Sequence, residues 1–146
     1  MTKQSHYNVG IYVRLSQEDE RAGESISIEN QKKMLTEYVS QQPDWSLVEI
    51  CEDDGYSGTD FNRPGVRQLL DDAKSGKINL ILCKDLSRFG RNYIEVGQYI
   101  DYIFPSFNIR FIALSDNVDT LDRNSTAMDL MPIMNLFNEW HAANTS

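Results

Sequence analysis

Ile78-Asn79-Leu80-Ile81-Leu82-Cys83, followed at once by Lys84-Asp85-Leu86-Ser87-Arg88-Phe89-Gly90-Arg91, sets the architecture expected of this chain. The apolar run from Ile78 to Cys83 reads as a central parallel strand, because strands buried on both faces carry near-continuous aliphatic side chains. The cationic segment then falls where that strand ends and a loop begins. Upstream, Pro64 suits a first helical position, Val66, Leu69, Leu70 and Ala73 keep helical spacing, and Gly76 stops the helix. Before that, Trp45 to Glu52 alternates as a strand after the break at Pro43-Asp44, and Asp53 to Thr59 is rich in turn formers. Ser27 is a candidate N-cap for a helix from Ile28 to about Ser40, with Glu29 in its first turn and Ile28, Met34, Leu35, Tyr38 and Val39 on one face. Asn8 to Arg14 reads as the first strand, and Leu15 to Ser27 as a polar, acidic, mobile loop.

Downstream, Tyr93, Val96, Ile100, Ile103 and Phe104 form another helical stripe, closed by Pro105, and Ile109 to Leu114 reads as a fourth strand. Strands alternating with helices imply an α/β fold: a mostly parallel central sheet of four to five strands flanked by helices. A last helix, about Thr126 to Ala143, carries Met128, Met131, Met134, Phe137 and Trp140 on more than one face, and Pro132 bends it or marks a late start. Such a helix is expected to mediate self-association. No Gly or Pro stop signal precedes Ser146, so the chain is expected to be cut within a longer helix.

At 146 residues the chain is read as one domain, 1–146, with an ordinary 40% apolar and 25% charged composition. No apolar stretch approaches a membrane span and the N-terminus lacks a signal-peptide core, so a cytoplasmic location is expected. Cys51 and Cys83 fall in expected strands and read as buried reduced thiols. His6 and His141 stand apart and no C-x-x-C or H-x-x-x-H occurs, so neither metal nor cofactor is expected. The net charge of −8 argues against this segment gripping nucleic acid alone, since non-specific affinity comes mostly from Lys and Arg neutralising phosphates.

The residues that carry chemistry cluster at the expected strand ends. Tyr12-Val13-Arg14-Leu15-Ser16 places Arg14 and Ser16 on the same side if the strand runs that far. Arg63 precedes Pro64 at a helix start, where a cation opposes the helix dipole and needs a compensating anion. Arg88 and Arg91 would share a face on a helical turn. Asp53 and Asp54 could bind metal or orient arginines. Taken singly each feature is commonplace: most Arg-x-Ser pairs, lone helix-start arginines, cationic turns and acidic turns are solvated surface. There is no Ser-His-Asp arrangement, no Walker motif and no G-x-G-x-x-G, so an enzyme here would run on Ser, Arg and Asp or Glu. A hydroxyl beside guanidinium groups suits work on phosphate, because Arg forks match phosphate oxygens in pairs.

Together, Tyr12 to Ser16, Ser27-Ile28-Glu29-Asn30-Gln31, Asp53 to Gly65 and Lys84 to Arg91 resemble the serine recombinases of the resolvase/invertase superfamily. The phrase Asp54 to Gly65 is most similar to the large serine recombinases of transposons and phage integrases. The resemblance runs from about Val9 to Trp140. It implies that Ser16 is the nucleophile, that Arg14, Arg63, Arg88 and Arg91 hold the scissile phosphate, and that Gln31 and Asp54 support the site. It further implies a 5′-phosphoserine intermediate, double-stranded DNA as substrate, homodimers and homotetramers through the C-terminal helix, DNA-binding domains outside this chain, and a bacterial or mobile-element origin. No metal or ATP is needed in such a scheme. Two positions depart from the common pattern: Ser87 stands where many members have Asp, and His141 falls near a position that is Glu in small resolvases. The alternatives are a non-catalytic phosphate- or nucleotide-binding α/β module and a silent recombinase relative.

Overall fold

The computed structural model describes residues 4–15, 27–56 and 62–121. Five strands form one sheet in the order β2-β1-β3-β4-β5: β1 Tyr7–Leu15, β2 Trp45–Asp54, β3 Leu80–Cys83, β4 Arg110–Ala113 and β5 Val118–Asp119. β2, β1, β3 and β4 run parallel, and β5 returns antiparallel to β4. The expected α/β class with a mostly parallel sheet is therefore observed. The chain passes from β1 outward to β2 and then back across β1 to β3. This reversal makes β1 and β3 the switch point of the sheet, beyond whose carboxyl ends such folds bind ligands.

Helix α1, Ile28–Ser40, follows β1 and begins as expected, with Ser27 Oγ accepting from the Asn30 amide. Helix α2, Pro64–Lys74, follows β2 and ends before Gly76, whose φ of +88° suits a residue without Cβ. The two faces of the sheet bury separate clusters. Tyr7, Val9, Ile11 and Val13 point with Leu80 and Leu82 toward Leu35 and Val39 of α1. Tyr12, Ile81, Cys83 and Phe111 point the other way, toward Leu69, Leu70, Val96 and Phe104. Period-two alternation along β1 thus sends Tyr12 and Arg14 to the α2 side. Cys51 and Cys83 are free and buried; burial, reinforced by Glu49, pushes the Cys51 thiol up to about 12, which keeps it protonated and inert.

Two elements differ from the sequence reading. The third strand starts at Leu80 rather than Ile78, because the Asn79 side chain accepts from the Asn8 amide at 2.6 Å and donates to the His6 carbonyl. Pro105 does not close the helical stripe. After helix α3, Leu86–Phe89, helix α4 spans Tyr93–Gln98, a π turn spans Tyr99–Ile103, and helix α5 restarts at Phe104–Ser106 with Pro105 in its first turn. Proline lacks the N–H that would continue an α-helix and clashes with the carbonyl four residues earlier, and the wider turn absorbs both defects. The helix stops at Asn108, in the left-handed region with φ of 55°. The last expected helix, with His141, and the loop bearing Ser16 lie outside the described residues. Among the described residues no helix is long and apolar enough to cross a membrane.

Candidate active site

Arg14 lies near the carboxyl end of β1 and is fully buried. β3 pairs with β1 only along Val9–Ile11, so on that side the last residues of β1 have no strand beside them. Gln31 of α1 fills the place. Its Oε1 accepts from the Arg14 amide at 3.3 Å and its Nε2 donates to the Arg14 carbonyl at 3.0 Å, so one side-chain amide serves as a single-residue strand. The Arg14 guanidinium reaches across to the segment after β3, where Nε donates to the Arg88 carbonyl at 3.0 Å and one Nη to the Ser87 carbonyl, and its other Nη donates to the Tyr56 carbonyl, just after β2, at 3.0 Å.

Arg63 occupies the N-cap of α2 without capping it, and is also buried. The cap comes from β2 instead. Asp53 accepts from the Gly65 amide at 2.7 Å through Oδ1 and from the Val66 amide at 3.0 Å through Oδ2, supplying the anion that a helix N-terminus favours. The close approach needs Gly65, since a Cβ there would lie 2.6 Å from the Glu52 carbonyl oxygen. Tyr12 donates its hydroxyl to Asp53 Oδ2 at 2.7 Å and accepts from Arg63 Nη1 at 2.6 Å. Burial pushes the Tyr12 phenol well above its ordinary value, against the pull of Arg63 and with the help of Asp53, so it stays a donor. Arg63 Nη2 then donates to the Phe89 carbonyl at 2.6 Å.

The segment after β3 is a short, heavily pinned turn. Asp85 caps α3 by accepting from the Arg88 amide at 3.0 Å, and the Leu86 amide donates to Asp116 at 2.7 Å. Ser87 Oγ donates to Asp85 at 2.8 Å and Lys84 lies 3.1 Å from the same carboxylate. Burial pushes the Asp85 carboxyl up, but the Ser87 hydrogen bond and the Arg88 and Lys84 charges outweigh it and hold the group below the ordinary carboxylate range. Arg88 is fully buried. The expectation of Arg88 and Arg91 sharing one helical turn is not met: α3 ends at Phe89, Gly90 is extended, and Arg91 lies half-buried beyond the turn. Charge here opposes the molecule's overall sign. Among the described residues three arginines, Arg14, Arg63 and Arg88, and one carboxylate, Asp53, are fully buried in a chain whose net charge is −8, and the partly buried Asp85 faces Arg88 and Lys84.

Residues 9–146 match the family model described as "Resolvase, N terminal domain". The chain belongs to that family. The fold is similar to the N-terminal catalytic domain of TP901-1 integrase, with a TM-score of 0.73 and 26% identity, covering 95% of this chain and 99% of that one. It is also similar to a resolvase family site-specific recombinase from Streptococcus pneumoniae, with a TM-score of 0.68 and 26% identity over 94% of this chain and 89% of that one. In sequence, 76 residues are 38% identical to "Uncharacterized immunity region protein 3" of Bacillus phage phi105, covering 52% of this chain and 90% of that protein. This is the catalytic domain of a serine site-specific recombinase.

In this recombinase domain, the Arg14 and Arg63 side chains come together on the main chain of residues 87–89, which includes Arg88, and Gln31 is adjacent to Arg14. Of the acidic pair, Asp53 reaches Arg63 through the Tyr12 hydroxyl, whereas Asp54 is exposed at the end of β2. Strand parity is the reason: neighbouring residues point to opposite faces, and Asp53 falls on the α2 side. Tyr12 also joins the cluster, although the sequence reading gave it no role. The available signal was its position two residues before Arg14, on the same face of β1.

Proposed function

We propose that this domain cuts and rejoins DNA at a specific site through Ser16, with Arg14, Arg63, Arg88 and Arg91 holding the scissile phosphate, and Gln31, Asp54 and Ser87 supporting them. The observation that carries this reading is the meeting of the buried Arg14 and Arg63 guanidiniums on the main chain of residues 87–89, just after β3, with Arg14 two residues before Ser16 in the chain. Guanidinium forks gathered at one place suit phosphate oxygens. In the reaction the Ser16 hydroxyl oxygen forms a bond to phosphorus while the bond to the 3′ oxygen breaks. The product is a 5′-phosphoserine ester, and the serine proton is balanced by the proton gained by the departing 3′ hydroxyl. Guanidiniums aimed at the non-bridging oxygens stabilise the charge that builds up in the transition state. One ester replaces another, so a 3′ hydroxyl can reverse the step without ATP.

Double-stranded DNA is the substrate, and the net charge of −8 points to further DNA-binding domains, outside 1–146, for the grip on it. The apolar segment from about Thr126 to Ala143 is the surface for homodimers and homotetramers. The phage relative supports a bacterial or mobile-element setting, and a DNA substrate there is met in the cytoplasm. The test is a covalent protein–DNA adduct formed by the intact recombinase on nicked site DNA. The parent protein should form it and Ser16→Ala should not; an adduct in Ser16→Ala would overturn the nucleophile assignment.

A further inference from the structure

Helix α3 is four residues long, and a single turn makes too few hydrogen bonds of its own to hold a fixed orientation. What grips the turn from outside therefore decides where Arg88 lies. Arg14 and Arg63 donate to its carbonyls from β1 and the start of α2. Its first amide is held from elsewhere, by the turn that joins β4 to β5. Asp116 Oδ2 accepts from the Leu86 amide at 2.7 Å, one of the amides that a first helical turn leaves without a partner inside the helix. Asp85, the N-cap, takes the Arg88 amide and leaves that of Leu86 to a residue 30 positions further along the chain.

The turn that carries Asp116 is itself anchored. The Leu114 amide donates to the Cys83 carbonyl at 3.1 Å and the Ser115 amide to the Lys84 carbonyl at 2.7 Å, which carries the β3–β4 ladder past the ends of both strands. Asn117 closes the turn in the left-handed region, with φ of 54° and its amide donating to the Leu114 carbonyl at 3.2 Å. Behind it, the Arg110 fork grips Asp119 at 3.0 and 2.7 Å, and the Thr120 hydroxyl oxygen accepts from the Phe111 amide at 3.0 Å, so β5 is locked onto β4.

From this geometry we infer that Asp116 is a positioning residue for the recombination reaction: it holds the first amide of α3 and so sets how Arg88 meets the scissile phosphate. The inference rests on the phosphate-transfer reading above and adds to it a residue from the β4–β5 turn. A misplacement on the scale of 1 Å at a reacting centre costs about 10²-fold in rate. The task needs an acceptor oxygen at this reach rather than a charge, so asparagine can perform it and alanine cannot.

The experiment times adduct formation by the intact recombinase, at saturating protein, on nicked site DNA with either an ordinary scissile phosphate or a neutral methylphosphonate there. Asp116 lies in an exposed turn, so Asp116→Ala keeps the fold. It should slow the phosphodiester reaction about 10- to 100-fold with site-DNA affinity unchanged, and slow the methylphosphonate reaction far less, because a neutral phosphorus centre demands less of a guanidinium. Asp116→Asn should restore most of the rate. In an Arg88→Ala background Asp116→Ala should add nothing. Equal slowing of both substrates by Asp116→Ala, no recovery in Asp116→Asn, losses that multiply with Arg88→Ala, or an unaffected phosphodiester rate would each overturn the positioning role. An adduct in the parent and none in Ser16→Ala, alongside any of these, overturns that role alone. No adduct from the parent overturns the proposed function and the role of Asp116 with it.

Discussion

Gln31→Leu removes the amide that stands in for a missing strand beside Arg14. Leu is close in volume, so little cavity forms and the loss is one of hydrogen bonds. Both Arg14 main-chain groups stay buried, and each orphaned group costs about 1–3 kcal/mol. The 3.3 Å bond from the amide is the weaker of the two and belongs at the low end. The expected loss is therefore about 3 kcal/mol, a large share of the stability of a domain this size. Urea unfolding followed by far-ultraviolet circular dichroism measures it, with the denaturant slope unchanged if only the native state is affected. Gln31→Glu sharpens the test, since a carboxylate still accepts from the Arg14 amide but cannot donate to its carbonyl. A loss below about 1 kcal/mol for Gln31→Leu, the level of an ordinary surface change, would refute the surrogate-strand account.

Gly65→Ala should lower stability by about 1–3 kcal/mol, because its Cβ meets the Glu52 carbonyl oxygen, which belongs to the backbone and cannot swing away; a thermal melt matching the parent would contradict this. Ser87→Ala should cost little cleavage, because Asp85 keeps its bonds to Arg88 and Lys84, whereas Arg88→Ala should cost about 10²–10³ in adduct rate. Equal inactivity of the two variants would make Ser87 a participant in the chemistry. Asp85 titrates below the ordinary carboxylate range in the folded state, so it contributes stability above its unfolded value, and that contribution is lost as pH falls through the lowered one. Asp85→Asn should accordingly flatten the acid limb of the stability profile below about pH 4, and an unchanged limb would show that the carboxylate is not coupled to folding.

Much of this fold was legible because strong local signals agreed with the tertiary packing. Ser27, Pro64 and Gly76 punctuate α1 and α2 where the structure does, and the apolar run after Asn79 is the buried centre of the sheet. The arginines were visible in the sequence as letters near strand ends and a helix start, and the structure places Arg14 in β1, Arg63 at the start of α2 and Arg88 after β3. What escaped was whatever depends on side chains meeting across elements. Asp53 and Asp54 are equivalent as letters, and only the register of β2 against α2 separates the buried one from the exposed one. Pro105 reads as a stop, but the packing of Ile100 and Phe104 into the core makes it favourable for the helix to widen by one turn and continue. Arg91 leaves the Arg88 turn because Gly90 adopts an extended backbone, a choice that residue spacing does not reveal.

The carbonyls of Ser87, Arg88 and Phe89 are the meeting point of Arg14 and Arg63. Each of these arginines is therefore a tether as well as a charge, and alanine substitution at either removes both at once. A lysine replacement keeps the charge yet offers one ammonium where a planar fork bridged separate carbonyls, so it too would loosen the turn that carries Arg88. Inactivity of either kind of variant reports on the shape of this junction as much as on contact with phosphate. Restoring rate by adding free guanidinium to Arg14→Ala or Arg63→Ala would separate the two roles: recovered cleavage with an intact turn marks a lost charge, and none marks a lost tether.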